Sequence, residues 1–260
     1  MSSSEVFHFY NKCHLGDNLL NLKFFFNISS ILRSKNIMIY YYYDSTYPYN
    51  TFIEFDKYVD PTVVSLKDLK NKPSSAIELW MNKEINSVSY RNFDVYFSLF
   101  YNDILQHMHL DVNGINTSIW QDEPYLHSVY AALDTKYTDI DIFIINNTGN
   151  SNQYKDNKPL NDLAKYLNNK YNILVTKFVD NSIKCTSSLT VQQYGAISTH
   201  SKYVISVWSG SCTGCYNSLS KDYVKKWFFI SDLPTLHTTI NSESINNKNI
   251  DKIKTYFDAL

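Results

Sequence analysis

The first twenty residues constrain the fold most, because an apolar run, a polar turn and a second apolar pattern follow one another there. Residues 6–10 (VFHFY) predict a buried strand, and a helix-period pattern begins at Leu19. A strand, a glycine-bearing turn and a helix start form the corner at which open α/β sheets bind ligands. We expect Asp17 or Asn18 to cap the helix and Gly16 to permit the turn.

The rest of the chain alternates strands and helices in the same way. The first half predicts helices over 19–33 and 93–108, and strands over 37–43, within 61–66 and within 77–80. After a short helix over 125–133, the second half predicts strands over 141–146, 172–176, 203–207 and 227–230, and helices over 160–171, 191–201, from 215, and over 249–260. Strand, helix and strand within about 40 residues form a parallel βαβ unit. We therefore expect a compact α/β protein of two facing Rossmann-like domains with parallel sheets, comprising residues 1–124 and 125–260.

Composition excludes several classes of function. The 260 residues are 44% hydrophobic, and the net charge of -1 offers no basic surface for nucleic acid. No apolar run reaches the roughly 20 residues of a membrane span, and the N-terminus lacks the layout of a signal peptide. Four cysteines in a chain of this length do not make a disulfide framework, which favours a reducing, cytoplasmic setting. The oligomeric state is left open.

The order of these elements resembles the GT-B glycosyltransferases, and most of all the ADP-heptose lipopolysaccharide heptosyltransferase group. In that group an N-terminal strand runs into a Gly-Asp turn and a helix, as residues 15–19 (LGDNL) do here. Its C-terminal half begins with a strand and a glycine- or serine-bearing loop with a lysine before a helix. Here Gly149 and Lys155 precede Leu160 in that way. The resemblance covers most of the chain in pattern, but residues 45–125 show no match.

The most distinctive motif of the group is only partly present. There, a strand ending near Val-Ser is followed by Asp-Ser/Thr-Gly-x-x-His. Ser209 and Gly210 match the motif, whereas Trp208 stands at its Asp position and Thr213 at its His position. In the family, those two residues contact the diphosphate region of the donor.

The resemblance implies an acceptor-side N-terminal domain. It assigns Asp17 as the base that takes the proton of the acceptor hydroxyl. By the chemistry of its imidazole, His14 is a candidate to assist as a base or to bind a sugar hydroxyl. Gly16 and Asn18 belong to the same acceptor-side turn. The alternative interpretation is structural, with Asp17 a plain helix cap and His14 a structural histidine.

The resemblance also implies a donor site in the C-terminal domain, residues 125–260. The segment from Ser209 to Gly214 offers small residues and free amides before a helix, which is suited to phosphate, and Ser211 and Thr213 add hydroxyl donors. Lys155 is assigned to a diphosphate oxygen, with Lys158 as its rival, and Gly149 lies on the same loop. The alternative interpretations are that Ser209 to Gly214 form an ordinary βα turn, and that Lys155 and Lys158 are simply solvated at the surface.

Metal chemistry has little support in the sequence. Cys212 and Cys215 form a CxxC without a second pair, so we interpret them as two reduced thiols at a helix start. His107 and His109 cannot share a helix face. The Asp-x-Asp at 139–141 precedes a strand, whereas a metal-dependent glycosyltransferase would carry it after one. We therefore expect a metal-independent reaction and no cofactor.

These observations predict an inverting glycosyltransferase that moves a sugar from a nucleotide-sugar donor to a sugar or glycan acceptor. Two alternatives remain: a nucleotide-sugar epimerase, and a non-catalytic sugar- or nucleotide-binding protein, which Trp208 and Thr213 favour. A dinucleotide dehydrogenase is disfavoured because no G-x-G-x-x-G follows a strand.

Overall fold

The computed structural model describes residues 4–12, 15–46, 54–80, 84–147, 157–186, 188–232 and 235–260. The chain divides into two compact units. The first comprises Met1–Tyr90 and Val95–Gln121, and the second comprises Arg91–Asp94 and Asp122–Leu260. The assignment of acceptor and donor roles to the two halves stays a prediction.

Within the described residues of the first unit, four strands form one parallel sheet. The strands are Glu5–Tyr10 (β1), Ile37–Tyr43 (β2), Val64–Asp68 (β3) and Ile77–Glu78 (β4), in the order β3-β2-β1-β4. The helices are Leu15–Asn27 (α1), Ser29–Ser34 (α2) and Phe93–His107 (α3), and short 3-10 helices span Phe55–Tyr58 and Leu69–Asn71. The predicted parallel βαβ unit at the N-terminus is confirmed.

Aromatic side chains fill the core of the first unit. Phe9 of β1 stacks on Phe25 of α1 with ring centroids 5.6 Å apart, and Phe24 stacks on Tyr101 of α3 at 4.1 Å. The Tyr101 hydroxyl donates to the carbonyl of Leu20 at 3.0 Å, which satisfies its one buried polar group. Each such side chain contributes about 1.5–3 kcal/mol when it is buried.

Within the described residues of the second unit, six strands form another parallel sheet. The strands are Ile142–Ile145 (β5), Ile173–Val175 (β6), Lys184–Cys185 (β7), Tyr203–Val207 (β8), Lys226–Ile230 (β9) and Ser242–Ile245 (β10), in the order β10-β9-β8-β5-β6-β7. The helices are Leu126–Ala131 (α4), Lys158–Asn168 (α5), Val191–Ser198 (α6), Ser218–Tyr223 (α7) and Asp251–Asp258 (α8). Every residue of β5 and β8 is buried, as expected for parallel strands covered on both faces. None of the helices in the described residues is both long and apolar enough to span a bilayer.

The first predicted helix, 19–33, is wrong in its bounds. It begins at Leu15 and is interrupted at Ile28, so that α1 and α2 are separate. The side-chain amide of Asn27 donates to the carbonyl of Lys23 at 2.9 Å, and short polar side chains of this kind compete with helical hydrogen bonds. The prediction that Asp17 or Asn18 caps the helix is also wrong, because α1 already begins at Leu15 and both residues lie inside its first turn. Gly16 lies in that first turn too, and not in a turn before the helix as predicted.

The prediction that the segment from Ser209 to Gly214 has free amides and leads directly into a helix from residue 215 is also wrong. Gly210–Cys215 form a 3-10 helix, and α7 begins only at Ser218. The Asn217 side chain accepts a hydrogen bond from the amide of Ser220 at 2.8 Å and so fixes that helix start.

Candidate functional site

The order of strands in the second sheet changes direction at β5. From β5 the chain adds β6 and β7 on one side, and then returns to add β8, β9 and β10 on the other. At such a switch point the loops leaving the two central strands diverge, and ligands bind outside the carboxyl ends of those strands. Asn146 and Asn147 follow β5, and Trp208 and Ser209 follow β8; we call these four residues the β5–β8 switch point.

Polar atoms at this switch point are buried without partners. Asn147 Nδ2 donates to Ser211 Oγ at 3.2 Å, which joins the two loops. Among the described residues, no hydrogen-bond partner exists for Ser209 Oγ or Asn147 Oδ1, or for Oδ1 of Asn157, whose Nδ2 donates to the carbonyl of Asn146 at 3.0 Å; all three atoms are buried. A buried polar atom left unpaired costs about 1–3 kcal/mol, so each needs an explanation such as a ligand.

The side chain of Asn146 ties the loops after β5 and β6 together. Its Oδ1 accepts from the amide of Thr176 at 3.1 Å and from the amide of Lys177 at 2.7 Å, and its Nδ2 donates to the carbonyl of Lys177 at 3.0 Å. The Thr176 hydroxyl donates to the same Oδ1 and accepts from the Asn146 amide. Asn146 is 1% exposed, so these bonds form a buried clamp. Neither Asn146 nor Lys177 was among the residues singled out in the sequence, since a polar residue after a strand carries no periodic signal.

The predicted phosphate segment is held by its own hydrogen bonds. The Thr213 hydroxyl donates to the carbonyl of Gly210 at 2.6 Å, within the same 3-10 helix. A side chain at Gly214 would overlap the carbonyl of Val191, and one at Gly195 would lie 2.5 Å from the carbonyl of Gly214. Close packing of α6 therefore explains why Gly214 is a glycine.

Trp208 is a packing residue in an aromatic cluster. Its side chain is buried and meets the ring of Phe93 edge-on, with centroids 5.6 Å apart. The Phe93 ring also contacts Tyr216 at 5.5 Å and His237 at 5.0 Å. An aromatic ring thus occupies the position at which the sequence resemblance leads one to expect an Asp.

Asp94 is held beside this cluster by a dense set of hydrogen bonds. Its Oδ2 accepts from the amides of Thr238 at 2.6 Å and Thr239 at 2.8 Å, and its Oδ1 lies 3.5 Å from His237 Nδ1. Burial acts to raise the pKa of this carboxyl, but the imidazole of His237 and the donors of Thr239 outweigh it and hold the pKa far below its ordinary value. These partners lie more than 140 residues away from Asp94 in the sequence, so no local sequence pattern predicts the contacts.

Both thiols of the CxxC are buried and reduced. Cys212 Sγ donates to the carbonyl of Ser209 at 2.9 Å and lies 3.2 Å from the hydroxyl of Tyr216, whereas Cys215 Sγ donates to the carbonyl of Tyr194 at 3.6 Å. Burial raises the pKa of the Cys212 thiol, which keeps it protonated. Across the described ranges, no three His, Cys, Asp or Glu side chains gather into a group able to hold a metal ion.

In the first unit, the predicted acceptor residues lie in the first turn of α1. Gly16 is buried, Asp17 is half-buried, and Asn18 is 0% exposed. Asn18 Oδ1 accepts from the hydroxyl of Tyr41 at 2.9 Å, and Asn21 Nδ2 donates to that hydroxyl at 3.1 Å. Asp17 is the acidic residue of this first turn, a position at which the helix dipole favours a negative charge.

Charged groups also collect where β1 and β4 end, at the switch point of the first sheet. Lys12 Nζ lies 2.9 Å from Glu78 Oε1 and 5.5 Å from the centre of the Trp80 ring. The Tyr10 hydroxyl donates to Glu78 Oε2 at 3.3 Å. Sequence reasoning missed this group because the pairing of β4 with β1 crosses 68 residues.

Three of the predicted site residues, His14, Gly149 and Lys155, lie outside the described residues. Lys158 forms an exposed ion pair with Asp162 at 3.0 Å, one turn along α5. The structure thus brings Ser209, Gly210, Ser211 and Thr213 to the β5–β8 switch point, while Asp17 and Asn18 belong to the other unit.

Solved structures share this fold over nearly the whole chain. E. coli heptosyltransferase WaaC with ADP superposes with a TM-score of 0.57 at 8% identity, covering 98% of this chain and 97% of that one. E. coli ADP-heptose LPS heptosyltransferase II gives a TM-score of 0.54 at 8% identity, covering 98% of both chains. The iron-containing dodecameric glycosyltransferase TibC of enterotoxigenic E. coli gives 0.54 at 12% identity and covers 94% of this chain, which spans only 63% of TibC.

At these identities the similarity is one of fold. No protein-family model matches the sequence, and no curated protein matches it either. The chain has an α/β fold with two parallel sheets like that of the GT-B heptosyltransferases, which confirms the resemblance drawn from the sequence at the level of fold.

Proposed function

Given a fold shared with heptosyltransferases, we propose that the chain is a glycosyltransferase that moves a sugar from a nucleotide-sugar donor to a sugar or glycan acceptor. The observation that carries the proposal is the buried hydroxyl of Ser209 at the β5–β8 switch point, which has no hydrogen-bond partner among the described residues and can donate to a phosphate oxygen. WaaC was solved with ADP and with ADP-2-deoxy-2-fluoro heptose, and a nucleoside diphosphate sugar is the ligand class we assign to this chain.

The donor diphosphate is assigned to the hydroxyls of Ser209 and Ser211, which can donate to its oxygens, and Asn147 is assigned the role of positioning Ser211 through its side-chain amide. Hydroxyls and amides that are held before the ligand arrives can stabilise the charge that develops on the leaving diphosphate. Lys177 is exposed and supplies a cation on the neighbouring loop, and Lys155 is proposed as a second. Gly149, Gly210, Thr213 and Gly214 complete the proposed donor segment, chiefly by shaping its backbone.

Asp17 is the proposed base. In a single displacement, its carboxylate takes the proton of the acceptor hydroxyl, the hydroxyl oxygen bonds to the anomeric carbon, and the bond from that carbon to the diphosphate breaks. This course inverts the configuration and uses no metal. Gly16 and His14 belong to the proposed acceptor side, and Asn18 is assigned a positioning role through Tyr41.

One observation favours a second candidate, a binding protein without catalysis. The buried ring of Trp208 stands where the family has an Asp. The hydroxyl of Thr213, which stands where the family has a His, already donates its hydrogen bond to the carbonyl of Gly210. Such a protein would bind a nucleotide-sugar without consuming it.

Thermal unfolding with ADP, GDP, UDP, CDP and their common sugar conjugates tests the proposal. A ligand that binds only the folded state adds about 2.7 kcal/mol of stability at a hundredfold excess over its Kd. We expect one nucleotide class to raise the midpoint, and its sugar conjugate to be consumed by the wild type but not by Asp17→Asn. Turnover in excess EDTA tests metal independence.

The possible outcomes separate the two candidates. Binding without turnover, for every acceptor tested, would favour the binding protein. Absence of any stabilisation at millimolar nucleotide would remove both candidates.

A further inference from the structure

Phe178 has an exposed aromatic ring in the loop that follows the carboxyl end of β6 in the second sheet. It is 64% exposed and stands three residues after the end of β6. Within the described part of the chain its ring stacks on no other aromatic side chain, although most aromatic residues of this protein pack against one another. The exposure of a single Phe is not unusual in itself, but it leaves the face of this ring accessible to a ligand.

The backbone on both sides of Phe178 is fixed. On the N-terminal side, the Asn146 side chain binds the amide and the carbonyl of Lys177. On the C-terminal side, Val179 packs against the core of the second unit, and Asp180 Oδ1 accepts from the amide and the hydroxyl of Ser182 at 2.9 and 2.6 Å. The ring is therefore held out from an ordered turn.

β6 is the direct neighbour of β5, the strand that leads into the proposed donor site. β6 pairs with β5 on the side away from β8, about 4.8 Å from it. In nucleotide-binding sheets of this type, the diphosphate lies at the first strand–helix turn and the residues after the second strand contact the nucleoside. β5 and β6 are the first and second strands of this unit, so by the same geometry a nucleoside attached to a diphosphate at the switch point would extend towards the loop that carries Phe178.

We propose that Phe178 is the stacking surface for the nucleobase of the donor. The inference rests on the proposed function, because it takes the diphosphate to lie at the β5–β8 switch point. It adds that the site selects nucleoside diphosphates over sugar phosphates and inorganic pyrophosphate, since only a nucleoside brings an aromatic face. Stacking of a base on an aromatic side chain is worth about a tenfold change in affinity or more.

Calorimetric titration of four proteins tests the inference: wild type, Phe178→Ala, Phe178→Trp and Tyr223→Ala. Each is titrated with ADP, GDP, UDP, CDP and inorganic pyrophosphate. Tyr223 is the matched control, because it is a 49% exposed aromatic residue at the end of α7, just before the amino end of β9. For the nucleotide that the wild type binds best, we expect Phe178→Ala to raise the Kd about tenfold, with Phe178→Trp and Tyr223→Ala within about twofold of wild type.

Pyrophosphate separates stacking from a structural role. The Kd of pyrophosphate should stay unchanged in Phe178→Ala, because pyrophosphate has no nucleobase and so makes no stacking contact that the substitution could remove. An equal loss for nucleotide and pyrophosphate would mean that the ring supports the loop, which overturns the inference. Wild-type nucleotide affinity in Phe178→Ala, or a Phe178→Trp variant as weak as Phe178→Ala, would also overturn it while leaving the proposed function intact. If the wild type binds neither nucleotide nor pyrophosphate, both proposals fail.

Discussion

Asn146 Oδ1 accepts a hydrogen bond from the backbone amide of Lys177 at 2.7 Å, and this contact joins the ends of two neighbouring strands. The same oxygen binds the amide of Thr176, so one buried side chain fixes two loops. A binding edge that is ordered before its ligand arrives avoids the cost of ordering on binding. We therefore regard Asn146 as the residue that shapes the proposed donor site without touching the donor.

Asn146→Ala should loosen the loop after β6. The amides of Thr176 and Lys177 lose their acceptor, and each hydrogen bond is worth about 0.5–1.5 kcal/mol, so their hydrogen exchange should accelerate by up to about tenfold. Exchange followed by NMR or mass spectrometry measures this effect. Asn168→Ala is the control, because it removes a longer, exposed bond to the Ser182 carbonyl on the same unit. Equal protection of residues 176 and 177 in both variants would show that Asn146 is no clamp.

The central strands of the second sheet were predictable, and its edges were not. β5 and β8 are buried on both faces and so appear in the sequence as continuous apolar runs. β7 is two residues long, and β10 has the sequence SESI with only its Ile245 buried. Edge strands such as these carry no periodic apolar signal, because only the sheet itself identifies them as strands.

The candidate site was predictable only where local sequence determined it. Ser209 and Gly210 were found because they follow an obvious strand. The bond between Asn147 and Ser211 depends on β8 returning to lie beside β5, which no local pattern reveals. The same holds for Asp94, whose partners come from a distant loop.

Ser209→Ala should weaken binding of the nucleoside diphosphate without lowering stability. The Ser209 hydroxyl is buried and, among the described residues, unpartnered, so its removal breaks no native hydrogen bond. A bond from this hydroxyl to a charged phosphate is worth about 1.5–3 kcal/mol, so the Kd should rise roughly 10- to 100-fold. Calorimetry with the best-binding nucleotide and urea unfolding of the free protein measure the two effects. A destabilised variant with unchanged affinity would show that the hydroxyl serves the fold alone.

Trp208→Asp should unfold the site instead of restoring the family motif. The ring is 7% exposed and packs against Phe93, so its loss leaves a cavity costing about 3–5 kcal/mol, and the new carboxylate would be buried without a partner. Urea unfolding should show a large fall in stability, whereas Trp208→Phe, which keeps an aromatic ring, should lose less. A Trp208→Asp protein as stable as wild type, with increased turnover, would contradict a packing role for this residue.

Asp94 should make the second unit sensitive to acid. The pKa of its carboxyl is held far below normal in the folded state, against about 3.9 in the unfolded chain. Its contribution is therefore complete above about pH 4 and declines as the pH falls, because the unfolded chain then binds a proton that the folded chain excludes. Asp94→Asn should lower the free energy of unfolding at pH 7 and flatten its decline below pH 4. Urea titrations from pH 7 to pH 2.5 measure both effects, with the exposed Asp103→Asn as the control. Parallel curves for wild type and Asp94→Asn across that range would show that the bonds from Thr238, Thr239 and His237 do not stabilise the carboxylate.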